Sequence, residues 1–319
     1  MTAVAPLLLV TGYASVDFAM QLAPFRGTDA TTTVLGRADE WPRYGGVAHV
    51  TRAAAAPRAP DPSGKGTAVV GSSVRVEALS WVGQDPDGAA WIDAVERGGA
   101  GCGGIATRGT RSPTSFLLYP EGDGTICLFD PGDCHDGALT SEQRRLAAAA
   151  DAVVVTIGPE HATRELLDAI RPDATLCWIL KQDPDSLSGD LATALAARAD
   201  VITLSEGESG YLAGIAAAAR PGTDIIVTRG SRGAELRRVT ANATIEPIGS
   251  VPAEPVAGVD TTGAGDTFSG TLAARIAADP IRARDRAHDT DPHPMLEHIA
   301  AAAAATAAML RARATDLGR

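Results

Sequence analysis

The rhythm of apolar and polar positions changes near residue 140. Beyond it, wholly apolar strands alternate with helices: "SEQRRLAAAA" reads as a helix, "AVVVTIG" as a strand, "ATRELLDAIR" as a helix and "TLCWIL" as a strand. The alternation continues with the helix "LATALAARA", the strand "DVITL", a short helix through "ESGYLAG" and the strand "DIIVTRG". Thr140 and Gln143 have the spacing of a capping box for the first of these helices. Strands apolar on both faces and separated by helices predict a mostly parallel sheet covered on both sides. Leu7 to Val10 reads as a first buried strand, and "MLEHIAAAAAATAAMLRAR" as a long C-terminal helix of high propensity.

The first 130 residues are less regular. "DFAMQLAPFRGTDATTTVLGRADEWPRY" and "SPTSFLLYPEGDGTICLFD" show weak period-two alternation and turn signals, which predict antiparallel strands in a small sheet attached to the α/β core. Between them a helix begins after Gly46, and "RAAAAPRAPDPSGKGTAVVGSS", with Pro57, Pro60 and Pro62, reads as a surface loop interrupting it. No internal repeat is visible.

Composition narrows the classes. The 319 residues are 45% hydrophobic, enough for a full core. A formal net charge of -11 argues against nucleic acid or an anionic membrane as the main partner, so an anionic ligand must be held by local dipoles. The four cysteines (Cys102, Cys127, Cys134, Cys177) form no C-x-x-C pair, and Cys134-His135 has no second ligand pair at metal-binding spacing. The opening apolar run lacks a basic flank and is too short for a signal sequence or a membrane span. The expected location is the cytoplasm.

Two stretches invite a phosphate. "SGKGT" (Ser63 to Thr67) lacks the glycine that a P-loop requires five positions before Gly64, where Ala59 stands, and the segment before it is Pro-rich; it reads as a flexible loop. "TTGAGD" differs, because Gly263 and Gly265 let successive N–H groups point to one spot at the start of the helix "DTFSGTLAARIAA". Such an N-terminus attracts anions through its unpaired donors and its dipole. Asp266 in the first turn either stabilises the dipole alone, worth about 0.3–1 kcal/mol, or acts chemically; composition and capping leave both readings open.

"DTTGAGDTF" resembles the C-terminal signature of the ribokinase-like (PfkB) family of sugar and nucleoside kinases. Further segments resemble that family in its order along nearly the whole chain: "VTGYASVD", "YGGVAHV", "WVGQDPDGAAWIDAVERGG", "ADVITLSEGESGYLAG" and "IIVTRGSRGAEL". The resemblance implies a single kinase domain over residues 1–319. Its fold would be a three-layer α/β core with a mostly parallel central sheet, plus a β-sheet lid from about 17–45 and 113–130 that pairs two copies into a homodimer. It implies ATP and Mg2+ as cofactors and transfer to a hydroxyl, a primary one, of a sugar or sugar-like acceptor.

Residue by residue, the resemblance makes Asp266 the general base, with the amides of Gly263, Ala264 and Gly265 as the anion hole. Asp17, at the end of the first strand, and Ser15 would bind acceptor hydroxyls, and Gly45 and Gly46 would form the hinge between lid and core. Thr228, Gly230 and Gly233 would approach ATP, and Ser205 and Glu208 would stand on the phosphate side, Glu208 ordering Mg2+ through water. Asp260 and Thr262 match part of a loop that holds a monovalent cation such as K+.

Three positions depart from the family pattern. Val50 replaces an acceptor-binding asparagine, with His49 beside it as an acceptor-site candidate; Gly158 stands where some sugar kinases supply a glutamate, with Glu160 nearby; Ser205 replaces an asparagine. Two alternatives stay open. One is a nucleoside kinase, with Phe18, Phe25, Trp41 and Tyr44 lying in the lid segments; the other is a non-catalytic nucleotide- or sugar-binding member.

Overall fold

The computed structural model describes residues 4–56, 74–122, 124–256, 259–279 and 293–316. The Pro-rich segment with Pro57, Pro60 and Pro62, and the "SGKGT" stretch within it, lie outside the described residues.

A nine-stranded sheet runs in the order β14 (Ile245–Val251), β13 (Ala234–Val239), β12 (Asp224–Thr228), β11 (Val201–Ser205), β10 (Thr175–Ile179), β9 (Ala152–Val155), β1 (Leu7–Thr11), β5 (Arg75–Val82), β6 (Gly101–Thr107). From β12 to β6 every pairing is parallel; β13 and β14 are added antiparallel at one edge. The apolar runs explain the centre, since every residue of β1 and β9 is buried.

Helices cover both faces. Val47 and Val50 of α1 (Val47–Ala55), Trp91 and Val95 of α2 (Pro86–Arg97), Phe268 and Leu272 of α7 (Ala264–Ala278), and Met295 and Ile299 of α8 (Pro294–Asp316) share one core cluster. The other contains Leu146 of α3 (Ser141–Ala149), Leu166 of α4 (Glu160–Ala169), Leu191 of α5 (Gly189–Arg198) and Ile215 of α6 (Leu212–Ala218). Each such side chain, fully buried, contributes about 1.5–3 kcal/mol. The Thr140–Gln143 capping box closes the start of α3 from both sides. "ESGYLAG" begins as the 3-10 turn Glu206–Tyr211 before becoming α6. Among the described residues no helix is long and apolar enough to cross a membrane.

The second sheet runs β3 (Val34–Arg37), β2 (Val16–Leu22), β7 (Thr114–Pro120), β8 (Ile126–Asp130), with β4 (Arg43–Tyr44) also on β2. Its central pair departs from the antiparallel expectation: β2 and β7 are parallel, from Val16 opposite Thr114 to Leu22 opposite Pro120. The reason is topological. β1 and β6 run in the same direction in the large sheet, and each feeds the next strand of the small one through a short connection.

Candidate active site

The parallel strands end, at their carboxyl edge, beneath the N-terminus of α7, the place where open α/β sheets bind ligands. Gly263 is the N-cap and adopts φ +76°, a left-handed conformation in which a side chain would be strained. A Cβ there would lie 3.6 Å from the His49 ring. The turn differs from expectation in one respect: the Ala264 amide donates to Thr261 O at 3.0 Å. The amides of Gly263, Gly265 and Asp266 have no such backbone acceptor among the described residues. They are the donors left for an anion.

Asp266, in the first turn of α7, is within ion-pair reach of Lys181, and its charge acts on His49 and Asp17. Lys181, just beyond β10, brings Nζ to 3.5 Å from Asp266 Oδ1. The Asp266 carboxylate is the chief cause holding the Lys181 ammonium above the usual lysine range; burial opposes it and Glu208 adds to it. His49, on α1, is held below the usual histidine range by burial, which outweighs the opposite pull of the Asp266 and Asp17 carboxylates. Its Nε2 is buried and has no hydrogen-bond partner among the described residues.

Asp17 is the second residue of β2, so it belongs to the small sheet and not, as expected, to the end of the first strand. Only 7% exposed, it accepts a hydrogen bond from Ser15 Oγ, which also lies 2.7 Å from Ser115 Oγ on β7. Burial pushes its carboxyl above the usual range, and nearby Asp266 adds to this, whereas the Ser15 hydroxyl and His49 oppose it. Gly45 and Gly46 are required by close approach: a Cβ on Gly45 would overlap Asp17 Oδ2, and one on Gly46, at φ +58°, would overlap Tyr13 O.

Two of the departures change meaning in three dimensions. The Val50 side chain is 1% exposed in the core between α1 and α7, where the Val50 carbonyl abuts Gly270, so it does not line the cleft. Helix phase gives the cleft to His49 instead. Gly158 is buried against Gly12, and Glu160 is bound by Arg164 at 2.6 Å and by the Ser188 hydroxyl at 2.8 Å, so that carboxylate is already engaged.

The other wall is made by β11 and β12, where Ser205 pairs with Thr228. Gly230 and Gly233 have φ of +58° and +89°, and a Cβ on Gly233 would overlap Val251 O. Glu208 Oε2 accepts from the Ser205 amide and hydroxyl at 2.7 and 2.8 Å, and its Oε1 from the Gln182 amide at 3.3 Å. The segment Lys181–Gln182 therefore touches both the Asp266 side and the Glu208 side. Among the described residues no group of three His, Cys, Asp or Glu side chains is placed to hold a metal ion.

Asp260 and Thr262 do not fit the expected monovalent-cation loop. The Asp260 carboxylate is paired with the Arg43 guanidinium and receives the Thr262 amide and hydroxyl at 2.9 and 2.7 Å. The carbonyls of both residues accept from Arg313 Nη1. Arg43, Ser115, Lys181 and Arg313 escaped the sequence reading. Only Lys181 carried a signal, a charge directly after a buried parallel strand.

A cavity of about 610 Å³, lined by Tyr13, Asp133, His135, Glu160 and Arg164 among others, lies beside this cleft and not in it. Tyr13, whose carbonyl abuts Gly46, is the wall between them.

Known proteins share the architecture. Ribokinase from Cryptococcus neoformans var. grubii serotype A in complex with ADP superposes with a TM-score of 0.71 at 17% identity, over 96% of this chain and 94% of that one. Arabidopsis thaliana ribokinase complexed with ribose and ATP gives 0.67 at 14% identity, over 97% and 93%. A nucleoside kinase of the ribokinase family from Methanocaldococcus jannaschii gives 0.66 at 14% identity, over 97% and 92%. In sequence, a fructokinase of Klebsiella pneumoniae is 39% identical over 111 residues, 32% of this chain and 34% of that protein, so the match spans about a third of the relative's length. The structural likenesses define the class of fold, the ribokinase architecture. The profile of the pfkB family carbohydrate kinases matches residues 61–316, and the chain belongs to that family.

Proposed function

We propose that the protein transfers the γ-phosphoryl group of ATP to a hydroxyl, a primary one, of a sugar or sugar-like acceptor. The observation that carries this reading is the position of Asp266: a carboxylate in the first turn of α7, beside unpaired amides and facing Asp17, His49 and Lys181. In the step, the acceptor O–H proton passes to Asp266 while its oxygen forms a bond to the γ-phosphorus. The bond from that phosphorus to the β–γ bridging oxygen breaks, and ADP leaves with the electron pair. Positioning and charge stabilisation carry such a transfer. The Gly263, Gly265 and Asp266 amides and the Lys181 ammonium face the developing charge. Asp17, with Ser15 and His49, orients the acceptor hydroxyls.

On the nucleotide side, Thr228, Gly230 and Gly233 receive ATP. Mg2+ is usually held by one or two carboxylates, water and the substrate phosphates, and Glu208, whose oxygens already accept from Ser205 and Gln182, would reach it through water. The ion would lend positive charge to the phosphates there. The small sheet is the lid, hinged at Gly45 and Gly46, and its closure excludes water from the transferring group. Val34, Leu35, Phe116 and Leu128 of this sheet are exposed, which supports pairing of two lids in a homodimer.

A sugar is favoured over a nucleoside because two of the four lid rings, Phe18 and Trp41, already meet other rings. Phe18 stacks on Phe116 at 5.5 Å and meets Trp41 at 5.0 Å, and Tyr13 meets Phe129 at 4.8 Å. The test is ADP release from ATP across a panel of sugars, sugar acids and nucleosides. Acceptor-dependent release with a sugar is the expected result. ATP binding without acceptor-dependent release from any compound would favour the non-catalytic reading, and release only with nucleosides the nucleoside-kinase reading.

A further inference from the structure

The turn that feeds the anion-binding start of α7 is held by an arginine from the far end of the chain. Arg313 lies in the last turn of α8, yet its Nη1 donates to Asp260 O at 3.1 Å and to Thr262 O at 2.6 Å. Two carbonyls converging on one cationic nitrogen reproduce the way backbone oxygens replace the water shell of a monovalent ion. The side-chain oxygens of Asp260 and Thr262 are also taken. The Asp260 carboxylate is paired with Arg43 and accepts from Thr262, and Tyr119 Oη lies 2.7 Å from the Thr262 hydroxyl. An ion entering here would have to displace a guanidinium from each of two ligand sets.

The guanidinium suits the place. It stays charged at any physiological pH, is less strongly hydrated than an ammonium, and its fork matches several acceptors at once. Burial and the neighbouring Arg43 and Arg52 work against its charge, whereas Asp260 and Glu40 support it. Being tethered to a helix packed on α7, this cation is present without a binding equilibrium.

We propose that Arg313 is a built-in cation: it occupies the position between the Asp260 and Thr262 carbonyls that a monovalent metal ion would take, orders the turn ahead of Gly263, and makes the protein independent of K+. Arg313 acts through the turn and is a positioning residue. This rests on the kinase reading for the meaning of the turn, but not for its test.

The experiment compares wild type with Arg313→Met in KCl and in tetramethylammonium chloride at equal ionic strength, reading ATP-analogue affinity, thermal midpoint and, with an accepted acceptor, ADP release. Wild type is expected to differ by less than about twofold between the salts. Arg313→Met is expected to lose about tenfold in analogue affinity in tetramethylammonium, and to regain at least about threefold with KCl or with low millimolar guanidinium. Stimulation of wild type by K+ of about fivefold or more overturns the proposal, as does a variant equal to wild type in both salts. A loss that neither cation restores also overturns it, leaving a packing role. Should Arg313→Met not fold, the wild-type salt comparison decides alone. Should no nucleotide bind, the kinase reading has failed, and the thermal midpoint still decides this one, by rising with K+ in the variant and not in wild type.

Discussion

The two walls of the cleft are built from different materials. The wall proposed to face the phosphates is mostly backbone: Gly230, Gly233 and Gly263 take positive φ, and the donors left over are amides at the start of α7. The wall proposed to face the acceptor is side chains drawn from separate elements, Asp17 on β2, His49 on α1 and Ser115 on β7, with Lys181 after β10 between the two walls. A backbone device needs particular residues at fixed local spacing. A side-chain device needs only that distant elements meet, and it can change its members without changing the fold.

That contrast can be broken at its joints. The largest effect is expected for Lys181→Met, because the ammonium stands against Asp266 and, in the proposed transfer, faces the developing charge: kcat should fall about 10²–10³-fold. Lys181→Arg should recover part of the loss. A near-normal kcat in Lys181→Met would make the lysine a bystander. Next comes Asp17→Asn, which keeps the shape but not the charge; acceptor KM should rise about 10–100-fold with nucleotide affinity unchanged, and equal losses on both substrates would erase the division between the walls.

A smaller effect is expected from Gly45→Ala. The added Cβ must push Asp17 aside, costing about 1–3 kcal/mol of stability and raising acceptor KM, to be read from thermal unfolding and initial rates. An unchanged melting temperature would show that the lid gives way freely at this point. The smallest concerns His135 beside the cleft, which burial holds down to about 4. The unfolded chain binds that proton at a higher pH than the folded chain does, so stability should fall as pH drops from about 6.5 towards 4. His135→Leu should flatten that slope, and an identical slope in the variant would assign it to other groups.

Legibility in the sequence follows the same division. The buried parallel strands and the α3 cap could be read because their signals are local, as could the glycines of the α7 turn. β6 hid behind its glycines in "GCGGIAT", β14 behind a largely exposed edge pattern, and the parallel pairing of β2 with β7 behind a connection running through the large sheet. Val50 and His49 show the limit at single-residue scale: one step along α1 separates core from cleft, and only packing against α7 decides which is which. Arg313, inside an alanine-rich helix, becomes informative only when its fold neighbour, the Asp260–Thr262 turn, is known.

The most direct test of the central claim is Asp266→Asn, measured for acceptor-dependent ADP release and for ATP affinity in the same preparation. A general base contributes about 10²–10⁴-fold, so turnover should fall by at least that range while ATP affinity and the melting temperature stay near wild type. Turnover within a few-fold of wild type would contradict the account.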